Sequence, residues 1–150
     1  KLKKMKNQTL ITILFIFTLL VPVKTYAQHS ATQSVENTIK KKGKYAILVQ
    51  NEPHFMASVM TGEEYKAKSK SIQFEIVLIG SIVKDLAEKE TLKPFIEKAR
   101  NSGIKIVVCE FAMEKLGVKK SQYPSSVLTT PNGFTYIFGL QESGFKTITL

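Results

Sequence analysis

Cys109 is the residue in this sequence best placed to do chemistry, because it is the only cysteine and it follows an apolar, β-branched run. The stretch "IKIVVCEFAMEKLG" predicts a strand over residues 104–110 and a helix over 111–117. A helix N-terminus favours a thiolate over a thiol, whereas the neighbouring carboxylate of Glu110 disfavours a second negative charge. Free cysteine is also among the most buried residue types, so inert packing in the core is an open alternative.

Other polar residues near predicted strand ends are candidates for the same site. His54 lies in the loop "QNEPH" after the first strand, and a Cys–His pair within hydrogen-bond reach is an activated nucleophile. His54 is therefore a candidate base or orienting residue, and its alternative role is structural, at a helix start or on the surface. Asn51, Glu110 and Asn132 are candidate binding residues.

The residue types disfavour several common chemistries. One cysteine and two histidines without C-x-x-C spacing do not predict a structural zinc site, and no H-E-x-x-H or G-x-S-x-G motif occurs. No Gly-rich phosphate loop follows a predicted strand. The net charge is +10, but the sequence has no basic stripe with interleaved aromatic residues, which would indicate nucleic-acid binding. We therefore expect no metal, no cofactor and no nucleic-acid partner.

Strand-like and helix-like segments alternate along the chain. The predicted strands cover residues 44–50, 71–80, 104–110, 125–130 and 145–150, and the predicted helices cover 52–70, 81–103 (two helices), 111–117 and 131–144. Apolar strands alternating with helices indicate an α/β fold, a three-layer α/β/α domain with a mostly parallel sheet of about five strands. In a flavodoxin-like strand order the first and third strands are neighbours, which would bring the His54 loop opposite Cys109.

The N-terminal 27 residues have the three parts of a secretory signal peptide. Lysines precede the uncharged segment from Thr9 to Val23, and Thr25 and Ala27 have the spacing that a signal peptidase requires. The apolar segment is short for a membrane-spanning helix, which needs ~20 residues, and retention as an anchor is the alternative. We expect cleavage after Ala27, an exported periplasmic or secreted protein, and no stable membrane insertion after cleavage.

The rest of the chain divides into a flexible lead-in over residues 28–43 and one domain over residues 44–150. The lead-in is polar and poorly periodic. The domain is long enough for a single hydrophobic core. Since one cysteine cannot form an internal disulfide, this core has to hold the fold unaided.

The order and spacing of several motifs resemble the DsrE/DsrF-like sulfur-relay proteins. In that family a strand ends in a cysteine, a short helix with a Leu-Gly end follows, and a late helix carries Leu-Gln and then Gly-aromatic. Here the matching parts are Cys109, Leu116-Gly117 and the stretch "LQESGF" from Leu140 to Phe145. The resemblance implies a DsrE-like α/β/α domain that assembles as a trimer or hexamer. It also implies that the cysteine carries sulfur as a persulfide.

Two functional hypotheses from different classes follow. The first is an exported persulfide carrier or sulfurtransferase that acts through Cys109 with a thiol or sulfur-donor partner. The second is a non-catalytic oligomeric module that binds a small ligand or a partner and has a structural cysteine. In the second case Phe111, Phe134 and Phe138 would pack subunits together, although their default role is in the core. Thiol reactivity in the folded state separates the two hypotheses.

Overall fold

The computed structural model describes residues 32–150, so the predicted signal peptide lies outside the described residues. The chain divides into two compact units, one ending at Ile39 and a larger one from Lys40 to Leu150. Residues 32–36 form a short exposed helix within the segment predicted as a lead-in. Over residues 32–150, the structure contains no helix of the length and apolarity needed to cross a membrane.

The larger unit is built from five strands and five helices, joined by turns. The strands are β1 (Lys44–Val49), β2 (Gln73–Leu78), β3 (Lys105–Cys109), β4 (Val127–Thr130) and β5 (Lys146–Thr149). The helices are α1 (Glu52–Lys68), α2 (Ile82–Glu88), α3 (Lys93–Ser102), α4 (Glu110–Leu116) and α5 (Gly133–Glu142). Short 3₁₀ turns lie at Glu90–Leu92 and Lys120–Gln122. The elements follow the order that the sequence predicts, and the fold class is confirmed.

The strand order is β4-β3-β2-β1-β5, and all neighbouring strands are parallel. The flavodoxin-like adjacency of the first and third strands is not found, because β2 lies between β1 and β3. The chain adds β2, β3 and β4 in turn on one side of β1, and then returns to add β5 on the other side. Right-handed crossovers therefore place α1 to α4 on one face of the sheet and α5 on the opposite face.

Helix contacts agree with this arrangement. On the first face, α1 packs against α2 and α3, and α2 packs against α4. On the second face, α5 contacts β1, β2, β3 and β5. Since one helix covers this face, Leu128 of the edge strand β4 is left 47% exposed. The second face thus carries an apolar surface that the described chain does not cover.

A buried carboxylate fastens α5 to the sheet. Glu75 of β2 is 3% exposed, and its Oε1 lies 3.1 Å from the Lys105 ammonium. The Tyr136 hydroxyl of α5 donates a hydrogen bond of 2.8 Å to Glu75 Oε2. Burial, and then the hydrogen bond and charge of Glu75, raise the pKa of Tyr136 to about 12. A buried carboxylate without such partners is costly. The contacts of Glu75 with Lys105 and Tyr136 therefore favour one position of α5 on the sheet.

Candidate functional site

Cys109 ends β3 and directly precedes α4, and it pairs in register with Thr130 at the end of β4. The two strands are neighbours, but β3 leads to a helix on one face and β4 leads to a helix on the other. This is a topological switch point, where parallel α/β sheets open a crevice for ligands. Cys109 therefore lies at such a crevice, with β4 as the neighbouring strand where the flavodoxin-like order would have placed β1.

The Cys109 sulfur is packed under the start of α5. The residue is 4% exposed and belongs to an apolar cluster with Val77, Ile137 and Leu140. Its Sγ accepts a hydrogen bond from the backbone N–H of Gly133, with the nitrogen 3.3 Å from the sulfur. This amide is one of the donors that a helix N-terminus leaves without an intrahelical acceptor. The N-terminus of α5, which is the positive end of its dipole, therefore faces the sulfur.

The donor comes from a different helix than the sequence suggested. The sequence predicts that the helix following Cys109 supplies the amides. In the structure, Cys109 is the N-cap of α4, but its side chain makes no capping hydrogen bond there. The sulfur turns instead to Gly133, which lies 24 residues further along the chain. Because this contact depends on the crossover that brings α5 across the sheet, the local sequence around Cys109 does not predict it.

Asn132 and the preceding loop hold the start of α5 in place. The Asn132 Oδ1 caps the helix by accepting from the backbone N–H groups of Phe134 and Thr135, at 2.9 and 3.3 Å. The backbone N–H of Phe111 in α4 donates to the Pro131 carbonyl at 3.2 Å. The predicted residue Asn132 is therefore at the site, as the cap of the helix that contacts the sulfur.

Gly133 has to lack a side chain for this contact to form. A Cβ added there would lie 2.7 Å from Ile79 Cγ2 and 3.3 Å from Cys109 Cβ. The first distance is shorter than real carbon contacts allow, so any larger residue would displace the backbone or its neighbours. Glycine thus permits the close approach of the α5 backbone to the thiol.

A cavity of about 500 Å³ opens beside the thiol. Its buried residues are Cys109 and Ile79. Its other lining residues come from the ends of β1 and β2 (Gln50, Gly80, Ser81), from α4 (Phe111, Ala112, Lys115, Leu116) and from the start of α5 (Asn132, Phe134). Sites for small organic ligands occupy roughly 300–1,000 Å³ and are mostly apolar with a few polar groups. The cavity has this size and this character.

The sequence of residues 43–150 matches the family model of the DsrE/DsrF-like family. The chain belongs to the DsrE/DsrF-like family. The family is of a general sulfur-relay type, and the position of Cys109 at the end of β3 agrees with the resemblance on which the prediction depended. A search of curated proteins found no match.

Two solved structures share the fold of this DsrE/DsrF-like chain. A protein of unknown function from Methanobacterium thermoautotrophicum superposes with a TM-score of 0.65 at 14% identity, over 72% of this chain and 99% of that one. A conserved protein of unknown function from Bacteroides thetaiotaomicron gives a TM-score of 0.61 at 20% identity, over 75% of this chain and 98% of that one. At these identities the likeness shows the fold alone.

The structure does not bring His54 to the thiol of this family member. The His54 Nδ1 lies 3.0 Å from the Asn51 amide nitrogen, and the His54 backbone N–H donates to Asn51 Oδ1 at 3.1 Å. Asn51 is the N-cap of α1, which follows β1, and His54 lies in the first turn of that helix. Neither residue lines the cavity. Since β2 separates β1 from β3, the adjacency on which the predicted Cys–His pair depended is absent.

Glu110 follows the cysteine in sequence but turns away from the cavity. Its Oε1 accepts a hydrogen bond of 2.5 Å from the Thr129 hydroxyl, and the residue is exposed. Among the predicted site residues, Cys109 and Asn132 line the cavity, whereas Asn51, His54 and Glu110 do not.

The sequence analysis missed several residues of the site. Gln50, Ser81 and Lys115 line the cavity, and Gly133 contacts the Cys109 sulfur. The only local signal was that Gln50 ends one predicted strand and Ser81 follows another. Within residues 32–150, no group of three His, Cys, Asp or Glu side chains is arranged to hold a metal ion.

Proposed function

We propose that this DsrE/DsrF-like protein carries sulfane sulfur as a persulfide on Cys109 and passes it to an acceptor thiol. The observation that carries the proposal is the hydrogen bond of 3.3 Å from the Gly133 amide to a sulfur that also lines a cavity of about 500 Å³. A thiolate is the nucleophile in sulfur exchange, and a helix N-terminal amide stabilises that anion. The cavity supplies the space in which a donor meets the thiol.

The transfer needs no oxidant beyond the donor. The Cys109 thiolate attacks the outer sulfur of a donor R–S–SH, so that a new S–S bond forms at Sγ. The S–S bond of the donor breaks, and its electron pair leaves with R–S⁻, while the outer sulfur keeps its proton. An acceptor thiolate then attacks the outer sulfur of the Cys109 persulfide, takes it with that proton, and restores the Cys109 thiolate.

Intact mass measurement on folded protein tests the proposal. Protein is exposed to polysulfide, with and without later treatment with dithiothreitol, and the Cys109→Ala variant is treated in parallel. We expect a gain of whole sulfur atoms that dithiothreitol reverses and that the variant lacks. Because the chain has one cysteine, the variant is a matched thiol-free control. Modification only after denaturation would overturn the proposal.

The binding-module hypothesis is the second candidate, and the burial of the cysteine favours it. Cys109 is 4% exposed and packs within an apolar cluster, as an inert core cysteine does. Native-state alkylation with iodoacetamide separates the two functions. A carrier reacts at least as fast as N-acetylcysteine, whereas a packing cysteine reacts only as the protein unfolds.

We also propose that the protein assembles with copies of itself through the second face of the sheet. Phe134 and Phe138 lie one turn apart on the outer side of α5 and are 54% and 63% exposed. A groove of about 550 Å³ runs along the same helix, beside the end of β4. Large apolar side chains exposed on one helix face are typical of association sites.

A further inference from the structure

We infer that the sulfur donor is a small organic anion with an apolar body, of the thiosulfonate or organic persulfide type. This inference rests on the proposed function and names the substrate class of the Cys109 cavity. The carrier hypothesis alone is equally compatible with inorganic polysulfide, with thiosulfate or with a donor protein. The size, lining and charge of the cavity distinguish among these donors.

The first argument is size and lining. A cavity of about 500 Å³ is far larger than an inorganic sulfur anion requires. Its walls include the rings of Phe111 and Phe134 and the side chain of Leu116, which are 57%, 54% and 36% exposed. A small, strongly hydrated anion loses water against such walls without compensation, whereas an apolar or aromatic body gains from contact with them. The cavity therefore fits an organic donor.

The second argument is the single cation of the lining. Lys115 lies one turn beyond Phe111 on α4, and its ammonium lies 5.4 Å from the centre of that ring. In the part of the chain that the structure describes, no carboxylate forms an ion pair with Lys115. An unpaired ammonium beside aromatic walls is suited to a ligand with one anionic group. The lining thus combines an apolar wall, one positive charge and the thiol.

The reaction with a thiosulfonate is balanced. The Cys109 thiolate attacks the outer sulfur of R–SO₂–S⁻, a bond forms between Sγ and that sulfur, and the bond from that sulfur to the sulfonyl group breaks. The electron pair leaves with the sulfinate R–SO₂⁻. The protein is left with a persulfide anion, so the total charge is unchanged. Lys115 binds the sulfonyl oxygens of the donor and then those of the departing sulfinate.

The test compares benzenethiosulfonate with methanethiosulfonate as donors, by following the mass of the Cys109 persulfide over time. Each rate constant is divided by the rate constant of N-acetylcysteine with the same donor. This division corrects for the difference in intrinsic reactivity between the two donors. We expect the normalised rate constant to be at least about tenfold larger for the aromatic donor, because a phenyl group fills the apolar cavity and a methyl group does not.

Two cavity variants and one matched control locate the effect. Lys115→Met should lower the normalised rate constant for the aromatic donor about tenfold. Ala112→Leu, which reduces the volume of the cavity, should remove the preference for the aromatic donor. Lys98→Met is the control, because the Lys98 ammonium lies 5.5 Å from the Phe95 ring on α3, in the same kind of contact but outside the cavity. We expect no change in that variant.

A binding measurement supports the same inference without sulfur transfer. Benzenesulfonate, which has no transferable sulfur, should shift the backbone NMR signals of α4 and of the start of α5 in the Cys109→Ser variant. Lys115→Met introduced into that variant should weaken these shifts, and Lys98→Met should leave them unchanged.

The outcomes separate this inference from the proposed function. If polysulfide modifies Cys109 but the aromatic donor has no advantage, the donor class is wrong and the carrier role stands. An aromatic advantage that Lys115→Met leaves intact overturns the assignment of Lys115 as the anion site. If no donor modifies folded protein, the carrier function fails and the donor class fails with it.

Discussion

At the residue scale, the Gly133 amide and the Cys109 sulfur form the contact on which the site depends. The amide reaches to 3.3 Å because Gly133 has no side chain, and Asn132 caps the neighbouring amides of α5. One backbone donor of the helix therefore remains directed at the sulfur. Stability and reactivity are coupled at this position, since a change that displaces α5 also removes the hydrogen bond.

The first prediction concerns Gly133→Ala. The added Cβ would lie 2.7 Å from Ile79 Cγ2, so the free energy of unfolding should fall by about 1–3 kcal/mol through overpacking. Persulfide formation at Cys109 should slow as well. Urea unfolding and the mass assay measure the two effects. Gly139→Ala, in the same helix but with no atom within 4 Å of the added Cβ, is the control and should raise stability by about 0.5–1 kcal/mol. Equal effects of the two substitutions would contradict the prediction.

The second prediction concerns alkaline pH and Tyr136. Its pKa in the folded state is about 12, against an ordinary value of 10.0, so folding favours the protonated hydroxyl. The resulting stabilisation is complete below pH 10 and is lost as the pH rises from 10 to about 12. In Tyr136→Phe, the free energy of unfolding should therefore fall less steeply across this window than in the parent. Denaturant unfolding at several pH values measures the slopes.

Tyr123→Phe is the companion variant for this measurement. Burial raises the pKa of Tyr123 to about 12, and its hydroxyl donates to the Val83 carbonyl at 2.6 Å. Removal of the Tyr123 hydroxyl should also make the free energy of unfolding fall less steeply between pH 10 and 12. The hydrogen bond between Tyr136 and Glu75 remains in this variant. At neutral pH, Tyr136→Phe should cost about 1–3 kcal/mol, because buried Glu75 loses a donor. Identical slopes for the parent and both variants would refute the proposed linkage.

At the element scale, the predicted site residues Asn51, His54 and Asn132 lie at the starts of helices. Asn51 and His54 stand at the start of α1, where their mutual hydrogen bonds serve the helix and not the thiol. Among the helices α1 to α5, only α1 and α5 have an N-cap side chain that accepts from backbone amides, and the cap of α5 is Asn132. Gly103 ends α3 in the left-handed conformation, at a φ of 71°, as its sequence position suggested.

The third prediction separates capping from catalysis at α1. Asn51→Ala should lower the free energy of unfolding by about 1 kcal/mol, because Oδ1 accepts the His54 amide hydrogen. His54→Ala should leave the rate of persulfide formation at Cys109 within about twofold of the parent. Asn101→Ala, at an exposed position in α3, is the control for the first substitution. A large loss of Cys109 reactivity in His54→Ala would show that the histidine reaches the thiol.

At the scale of the whole molecule, the sheet is covered unequally. Four helices follow one another on one face, and α5 covers the other face, where Leu128 is exposed. Phe134 and Phe138, which the sequence placed in the core by default, project from α5 with more than half of their surface exposed. The switch-point cavity opens at the edge of the same region, since Phe134 lines it.

The fourth prediction tests self-association through this face. Phe138→Glu should shift the protein to a smaller species in size-exclusion chromatography with light scattering, because a charge would be buried in the contact. Met60→Glu is the matched control, since Met60 is 60% exposed on α1, across the sheet. A parent protein that is monomeric at high concentration would exclude the proposed assembly.

The fifth prediction concerns the N-terminal segment, which lies outside the described residues. Expression of this sequence in a bacterium should yield an exported product that begins at Gln28, because Thr25 and Ala27 have the spacing that a signal peptidase requires. Mass spectrometry of the periplasmic and cytoplasmic fractions measures this. Ala27→Arg, which places a large charged residue at the cleavage position, should leave the precursor uncleaved. A parent product that retains residues 1–27 would contradict the prediction.

Much of the fold was predictable because its signals are local. The apolar runs of the sequence coincide with β1, β2 and β3. Gly103 and Gly117 lie where the helices α3 and α4 end. Strand order was not predictable in this way, because it depends on which edge of the growing sheet each strand joins. The expected proximity of His54 and Cys109 assumed one order, and the structure has another.

The sequence by itself determined the element types, the position of Cys109 at a strand end and the family resemblance, since each depends on residues close together in the chain. The tertiary structure decided what surrounds the sulfur. Ile79 and Lys115 line the cavity and Gly133 donates to the sulfur, and only the packing of α4 and α5 across the end of the sheet brings these three residues together. Contacts between distant segments follow from topology, and local sequence does not specify topology.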